Sequence, residues 1–322
     1  MLFRSKLTSI KEAKSGIFVE GILFPYERIV FQVSKDISVY VGGVAKKYRG
    51  SVAVIKQANS GLLLINALDL ESYVRGVLYH EVSHRWPLGA MKAQAVATRT
   101  YALYQTEQNK NQLFDVTSDI YSQVYGGRSA ERYRTNLAAN QTRGEVLFFN
   151  GKVLPAYFHS NCGGHTENVH ELWEQDLKPL SGVVCFYCKS APNNSWKKNF
   201  RSADIEIKLS EAGIKVGTIK EIRVIERNES GRIRKLEIIS RDGRSTFITG
   251  KKFRDVIGPN DIKSNLYDIA MKGYYFDLIG RGWGHGVGMC QWGANEMAKS
   301  QFKYKDILEF YYPGAELRKL ER

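Results

Sequence analysis

What the chain lacks narrows the field first. No apolar run approaches the length of a bilayer span; the longest, such as residues 61–65, fall far short of the ~20 residues a helix needs. An integral helical membrane protein is excluded. Cysteine is scarce, four in 322 residues, which is no disulfide scaffold. The start offers no export signal: Arg4 and Lys6 are followed by no apolar stretch before Lys11, Glu12 and Lys14. A cytoplasmic protein, or a chain without its leader, is the expectation from that end alone. Internal repeats and low-complexity tracts are missing too.

Acidic residues are in deficit. Lys and Arg number 47 against 33 Asp and Glu, a net charge of +14. That surplus points to a polyanionic partner, whether nucleic acid, an acidic membrane or an acidic wall polymer. A composition of 43% hydrophobic and 25% charged residues is that of a globular chain with a sizeable core. The length suits one large domain or two ordinary ones.

The pattern along the chain is mixed. Residues 17–64 read as short strands, with Phe18, Ile22, Phe24, Ile29, Phe31 and Val33 broken by Gly and Pro. Asp69 can cap a helix with Leu70, Tyr73, Val74, Val77 and Leu78 on one face. Pro87 suits the first turn of a second helix, on which Lys92 and Arg99 share a face away from Met91, Ala95 and Val96. Residues 129–139 read as a helix. Asn150-Gly151 between apolar runs, 146–149 and 153–159, is a hairpin signal. Residues 189–255 hold 17 basic and 9 acidic residues and alternate like hairpins. A strand at 274–279 runs into a glycine-dense loop, 280–288, and then a helix near 291–299. The expected fold is α+β. Residues 1–66 form a β-rich segment. Residues 67–194 and 270–322 form a helical core with a cleft, and residues 195–269 a basic β-rich insertion.

Four groups of residues can carry chemistry. His80-Glu-Val-Ser-His84 fits H-E-x-x-H, in which two His one helical turn apart hold zinc. Pro87 leaves such a helix little room, and Pro87 and Ala90 stand where the extended motif has Gly and His. The bland reading is two surface histidines beside a useful carboxylate. The glycine-dense loop breaks G-x-G-x-x-G spacing and lacks Gly-Lys-Ser/Thr, so it is no nucleotide loop. It either lets backbone approach an extended ligand while projecting Arg281, Trp283 and His285, or is a tight structural loop. HSNCGGHTE, residues 159–167, sets polar groups on a short turn after a strand. Finally, Cys162, Cys185, Cys188 and Cys290 match a tetrahedral zinc site in number, with His159 or His165 as substitute ligands, but only Cys185-Phe-Tyr-Cys188 has ligand spacing. A disulfide pair or four unrelated thiols are equal alternatives.

Six blocks in order resemble the SpoIID/LytB family of stage II sporulation protein D and the amidase enhancer. They are LDLESYVRGV (68–77) with Glu81, WPLGAMKAQAVATRTYA (86–102), QVYG (123–126), HSNCGGHTE (159–167), GRGWGHGVGMCQWGA (280–294) and YYPG (311–314). The resemblance implies action on bacterial peptidoglycan. Sporulation members are lytic transglycosylases on glycan strands without stem peptides, and others are amidase enhancers. It places the catalytic carboxylate at Glu81 and so turns the flanking histidines into coincidence. One acid suffices there, because the muramic acid C6 hydroxyl attacks within its own chain and leaves a 1,6-anhydro end. Tyr79 and Trp86 flank Glu81 in sequence as apolar neighbours. Lys92 and Arg99 are candidates for lactyl carboxylates. Gln123, Tyr125, His159, His285 and Gln291 are candidates for sugar hydroxyls and acetamido groups, and Trp283 or Trp292 for stacking on a ring. The family's zinc ligand before the Gln-Val-Tyr block is a Cys, whereas this chain reads Tyr121-Ser122-Gln123, so that metal is not carried over. No cofactor is needed for the implied chemistry; a structural zinc on the four cysteines stays open. Expected partners are peptidoglycan strands and a wall amidase, with no specific nucleic acid. The substrate implies an extracytoplasmic or periplasmic place in the cell envelope. The basic insertion is expected to grip anionic wall polymer.

Overall fold

The structure is a computed structural model that describes residues 8–32, 36–58, 61–119, 122–192 and 194–320. Val33, Tyr121 and the residues before Thr8, used in the sequence reading, lie outside these. The fold is α+β. Among the described residues there are seven α-helices and several small sheets. No helix among them is long and apolar enough to cross a membrane. The chain forms two compact units, Met1–Arg85 with Ala102–Gly144, and Trp86–Tyr101 with Glu145–Arg322.

The first unit opens with two three-stranded antiparallel sheets and a hairpin. One sheet is Ile10–Ala13, Gly16–Val19 and Ile22–Phe24; the other has Ser51–Lys56 between Arg28–Gln32 and Leu62–Ala67. Ile17, Val19 and Val54 form their common core. Helix α1, Leu70–Glu81, begins where Asp69 accepts from the Ser72 amide at 3.0 Å. It buries Tyr73, Val74, Val77 and Leu78, the face the spacing predicts. Residues 129–139 divide: a 3₁₀ turn at Gly127–Ala130 precedes helix α3, Tyr133–Gln141, because the chain is extended at Glu131 and Arg132.

Helix α2, Leu88–Gln108, follows Pro87 and runs from the second unit into the first. The expectation of two contrasting faces fails in its middle. Every residue from 93 to 100 is buried, so the helix is enclosed there on all sides. Ala93, Val96 and Ala97 join the large core of the second unit with Leu154, Val287, Met289, Tyr311 and Tyr312.

In the second unit, Glu145–Phe149 and Lys152–Val153 form the expected hairpin, with φ of 50° at Asn150 and 74° at Gly151. The strand does not continue to His159. Pro155 has no N–H to give a ladder, and the chain resumes as Phe158–His159, parallel to Met289–Cys290. Residues 195–269 are richer in helix than their alternation suggested. Helices α4, Ser202–Glu211, and α5, Gly250–Ile257, accompany the sheet Ile219–Arg227, Ile233–Ser240, Ser245–Thr249. Ser195–Arg201 instead pairs with Tyr275–Arg281, itself paired with Tyr267–Lys272. Trp196, Phe200, Leu236, Phe253 and Phe276 make a separate core there. Helix α6, Gln291–Lys299, and helix α7, Tyr304–Tyr311, complete the unit.

Candidate functional site

Glu81 is the last residue of α1, half-buried, and Val82 beyond it is extended. The helix therefore stops before His84, and no single helical face carries both histidines. This is the geometric reason the H-E-x-x-H string makes no zinc site. Two glycines let the Gln-Val-Tyr-Gly block lie against α1. A Cβ on Gly76 would meet the Tyr125 ring at 2.4 Å, and one on Gly126 would meet His80 Nε2 at 2.2 Å. The amide of Gly126 donates to the Gly76 carbonyl at 3.1 Å, and the amide of Val124 to Glu81 Oε1 at 3.4 Å. Two sequence blocks separated by some forty residues thus meet at the carboxylate. His80 sits below its ordinary pKa, through lost solvation and then the charges of Lys46 and Arg132.

Gln123 and Tyr125, on either side of Val124, are both buried. The Tyr73 hydroxyl donates to Gln123 Oε1 at 2.9 Å. The Tyr125 hydroxyl donates to Asn66 Oδ1 at 2.6 Å, and its ring stacks on Tyr73 at 5.3 Å. Burial pushes the Tyr125 phenol well above its ordinary pKa. Both side chains are bonded inside the unit, where they hold the segment that carries the Val124 amide.

The other candidates lie in the second unit. Its glycine-dense loop crosses the HSNCGGHTE turn. Asn161 and Trp283 exchange two backbone hydrogen bonds, at 3.0 and 2.7 Å, and the Glu167 amide donates to the Gly286 carbonyl at 2.8 Å. The two readings of the glycines can now be separated at two positions. Gly286 has φ of +93°, and a Cβ there would stand 2.7 Å from the Arg232 guanidinium. At Gly288, with φ of +70°, a Cβ would stand 2.0 Å from the Tyr157 carbonyl oxygen. These glycines admit the protein's own chain.

Ahead of them the loop displays Arg281 and Trp283, both exposed, with Lys263 Nζ 4.8 Å from the Trp283 ring centre. His285 is held. Val287 N–H donates to its Nδ1 at 3.1 Å, so that nitrogen carries no proton and Nε2–H donates to the Phe158 carbonyl at 2.9 Å. Burial lowers its pKa to about 4. His159 is buried and donates from Nδ1 to the Val287 carbonyl at 3.1 Å. Burial, then the neighbouring His285 and Arg232, hold it well below the ordinary range.

Lys92 and Arg99 differ in depth. Lys92 is half-buried with Nζ 5.6 Å from the Tyr304 ring centre. Arg99 is fully buried and its Nη1 donates to the carbonyls of Glu145 at 3.1 Å and Ala95 at 3.4 Å. Gln291 is buried and donates to Gln94 Oε1 at 3.4 Å. Trp292 packs edge-on against Trp86 at 5.1 Å.

Sequence reasoning missed Arg232, and it named Glu167 only as the end of the HSNCGGHTE turn, without a role. Arg232 comes from the basic insertion, is 1% exposed, and donates to the carbonyls of Cys162 at 2.7 Å and His165 at 2.9 Å. Glu167, also buried, accepts from Asn228 Nδ2 at 2.7 Å and Ser230 Oγ at 3.1 Å. The turn at 228–232 therefore underlies both loops. The glycine at 286 was the one available signal.

The four cysteines converge. Cys162, Cys185, Cys188 and Cys290 are all buried, all free thiols, and their sulfurs lie within 4.8 Å of one another. Among the described residues this is the one group of three or more His, Cys, Asp or Glu placed to hold a metal ion. Hydrogen bonding with Cys185 pushes the Cys162 thiol up and burial pushes Cys290 up, while Cys162 pulls Cys185 and Cys188 down. His159 and His165 are not in the group.

A family model described as stage II sporulation protein matches residues 58–149, which contain Glu81, Gln123 and Tyr125. A domain of unknown function (DUF8618) matches residues 186–288, which contain Arg232, Trp283 and His285. An uncharacterized protein of Brachyspira hyodysenteriae is 34% identical over 309 residues, 96% of this chain and 81% of that protein. Stage II sporulation protein D of Bacillus subtilis is 30% identical over 284 residues, 83% of this chain and 78% of its own length. The amidase enhancer of Bacillus subtilis is 27% identical over 288 residues, 76% of this chain and 40% of that protein.

Proposed function

Since the chain belongs to the SpoIID/LytB family of stage II sporulation protein D and the amidase enhancer, we propose that it is a lytic transglycosylase of peptidoglycan with Glu81 as its general acid and base. The observation that carries this reading is the half-buried Glu81 carboxyl on the last residue of a capped helix, which accepts from the Val124 amide. Glu81 gives its proton to the leaving glycosidic oxygen. It then takes the proton of the muramic acid C6 hydroxyl as that oxygen closes onto the anomeric carbon. No second carboxylate and no cofactor enters, because the nucleophile belongs to the substrate. Exposed Trp283 with Lys263 beside it offers a ring face and a positive charge to a glycan bearing lactyl carboxylates. The net charge of +14 fits the same polyanionic wall. This substrate places the protein on the extracytoplasmic side of the envelope.

The amidase enhancer among the relatives favours a second reading, in which the fold binds glycan and stimulates a wall amidase without cutting. One experiment divides the two. Purified protein is incubated with glycan strands free of stem peptides, and 1,6-anhydromuramoyl ends are counted by mass spectrometry. The expected result is product from wild type and a loss of about a hundred- to ten-thousand-fold in Glu81→Gln. Wild type that binds strands, forms no such ends and accelerates a purified amidase establishes the second reading. Equal product from Glu81→Gln removes this side chain from the chemistry.

A further inference from the structure

We infer that the four cysteines form a closed tetrathiolate site for one zinc ion. The ion fastens the turn at Cys162, the Cys185–Cys188 loop and the entry to α6 at Cys290. The inference is independent of the glycan chemistry, and its four ligands are other residues than the loop before Gln123, where the family resemblance would put a metal.

Geometry comes first. Zinc–sulfur bonds of about 2.3 Å set tetrahedral sulfurs about 3.8 Å apart. Here the Cys162 and Cys188 sulfurs are 3.4 Å apart and all four lie within 4.8 Å. Small rotations of four thiols meet the requirement. A disulfide would bring one pair to about 2.05 Å and leave two buried thiols crowded against it. A cubane iron–sulfur cluster gives each thiolate its own iron, which spreads the sulfurs wider than a shell built on one ion.

The surroundings suit thiolates. The amides of Cys162 and Gly293 point at Cys290 Sγ, at 3.3 and 3.4 Å, and the Tyr311 hydroxyl lies 3.2 Å from Cys185 Sγ. Such donors are the outer partners that thiolate ligands need, since a tetrathiolate zinc centre carries two net negative charges into the core. Gly293 makes room for them: a Cβ there would strike the Tyr311 hydroxyl at 1.9 Å and reach Cys185 Sγ at 3.1 Å. Cys290 is the last residue of the strand Met289–Cys290, paired with His159, and caps α6. The ion would therefore lock the register of the two loops that hold His159 and His285.

The test uses the full chain, purified without chelator. Elemental analysis should find one zinc per chain. Mercurial titration should release it with four thiol equivalents, and those thiols should resist alkylation until release. Exchange with Co(II) should give the strong visible bands and thiolate-to-cobalt charge transfer of a tetrahedral sulfur site. Stripping with chelator should lower the melting temperature, with recovery on adding Zn(II) and none on adding Mg(II). Cys188→Ser should bind zinc at least tenfold more weakly in chelator competition; where that variant fails to fold, the wild-type measurements decide. Metal-free protein with four freely alkylated thiols, a native disulfide in the mass spectrum, or iron in place of zinc each overturns the assignment.

Discussion

Arg232→Met tests whether the turn at 228–232 governs the glycine-dense loop. The guanidinium donates to two buried carbonyls, Cys162 at 2.7 Å and His165 at 2.9 Å. Hydrogen bonds from a charged donor contribute about 1.5–3 kcal/mol each, a gross loss of about 3–6 kcal/mol. Two effects reduce it. Methionine fills most of the vacated space, so the cavity cost is small. Removing a cation that makes no ion pair among the described residues, and whose Nε has no hydrogen-bond partner there, relieves a desolvation cost. A net loss of about 2–4 kcal/mol remains. It should be local, since the protein has two compact units and global melting need not be two-state. Hydrogen exchange is the suitable assay. The Glu167 amide, which donates to the Gly286 carbonyl, should lose about thirty- to thousand-fold of its protection. Arg223→Met, at an exposed side chain paired with Glu221, should leave that amide unchanged. Protection at Glu167 within threefold of wild type in Arg232→Met would refute the argument.

Two further predictions complete those on Glu81 and the cysteines. His285 has its pKa lowered from the ordinary 6.5 to about 4, so the unfolded chain takes up a proton that the folded chain refuses. Stability is constant above pH 6.5 and falls as the pH drops toward 4, by about 2 kcal/mol at pH 5 and about 3 in all; NMR titration of the ring checks this, and a midpoint near 6.5 contradicts it. Burial alone would raise the Asp69 carboxyl, but its bonds to Ser72 outweigh that and lower it. Asp69→Ala should cost about 1 kcal/mol of α1 stability in denaturant, and Asp69→Asn far less, because asparagine keeps the acceptor.

Local features were legible in the sequence. Asp69, Pro87, Asn150-Gly151 and the start of α6 each act through neighbouring residues, and each sits where its pattern places it. Features that depend on distant chain were not. Lys92 and Arg99 share a helical face by spacing, yet spacing says nothing of depth, and the helix turned out to be enclosed around Arg99. The pair Cys185 and Cys188 was visible. Cys162 and Cys290 reach it only through a parallel pairing of strands some 130 residues apart, which periodicity cannot encode. Gln123 and Tyr125 looked like free polar groups because their partners, Tyr73 and Asn66, lie far upstream. Arg232 was hidden within a run of basic residues that charge counting treats as one surface.

That last arginine alters how residues 195–269 may be handled at the bench. They are no detachable cassette, because part of them serves as a wedge under the neighbouring loops. A shortened protein that released cell-wall material would report slackened architecture as readily as lost attraction. Reversing outward charges at Lys235 or Arg241, with 228–232 kept whole, separates the two causes.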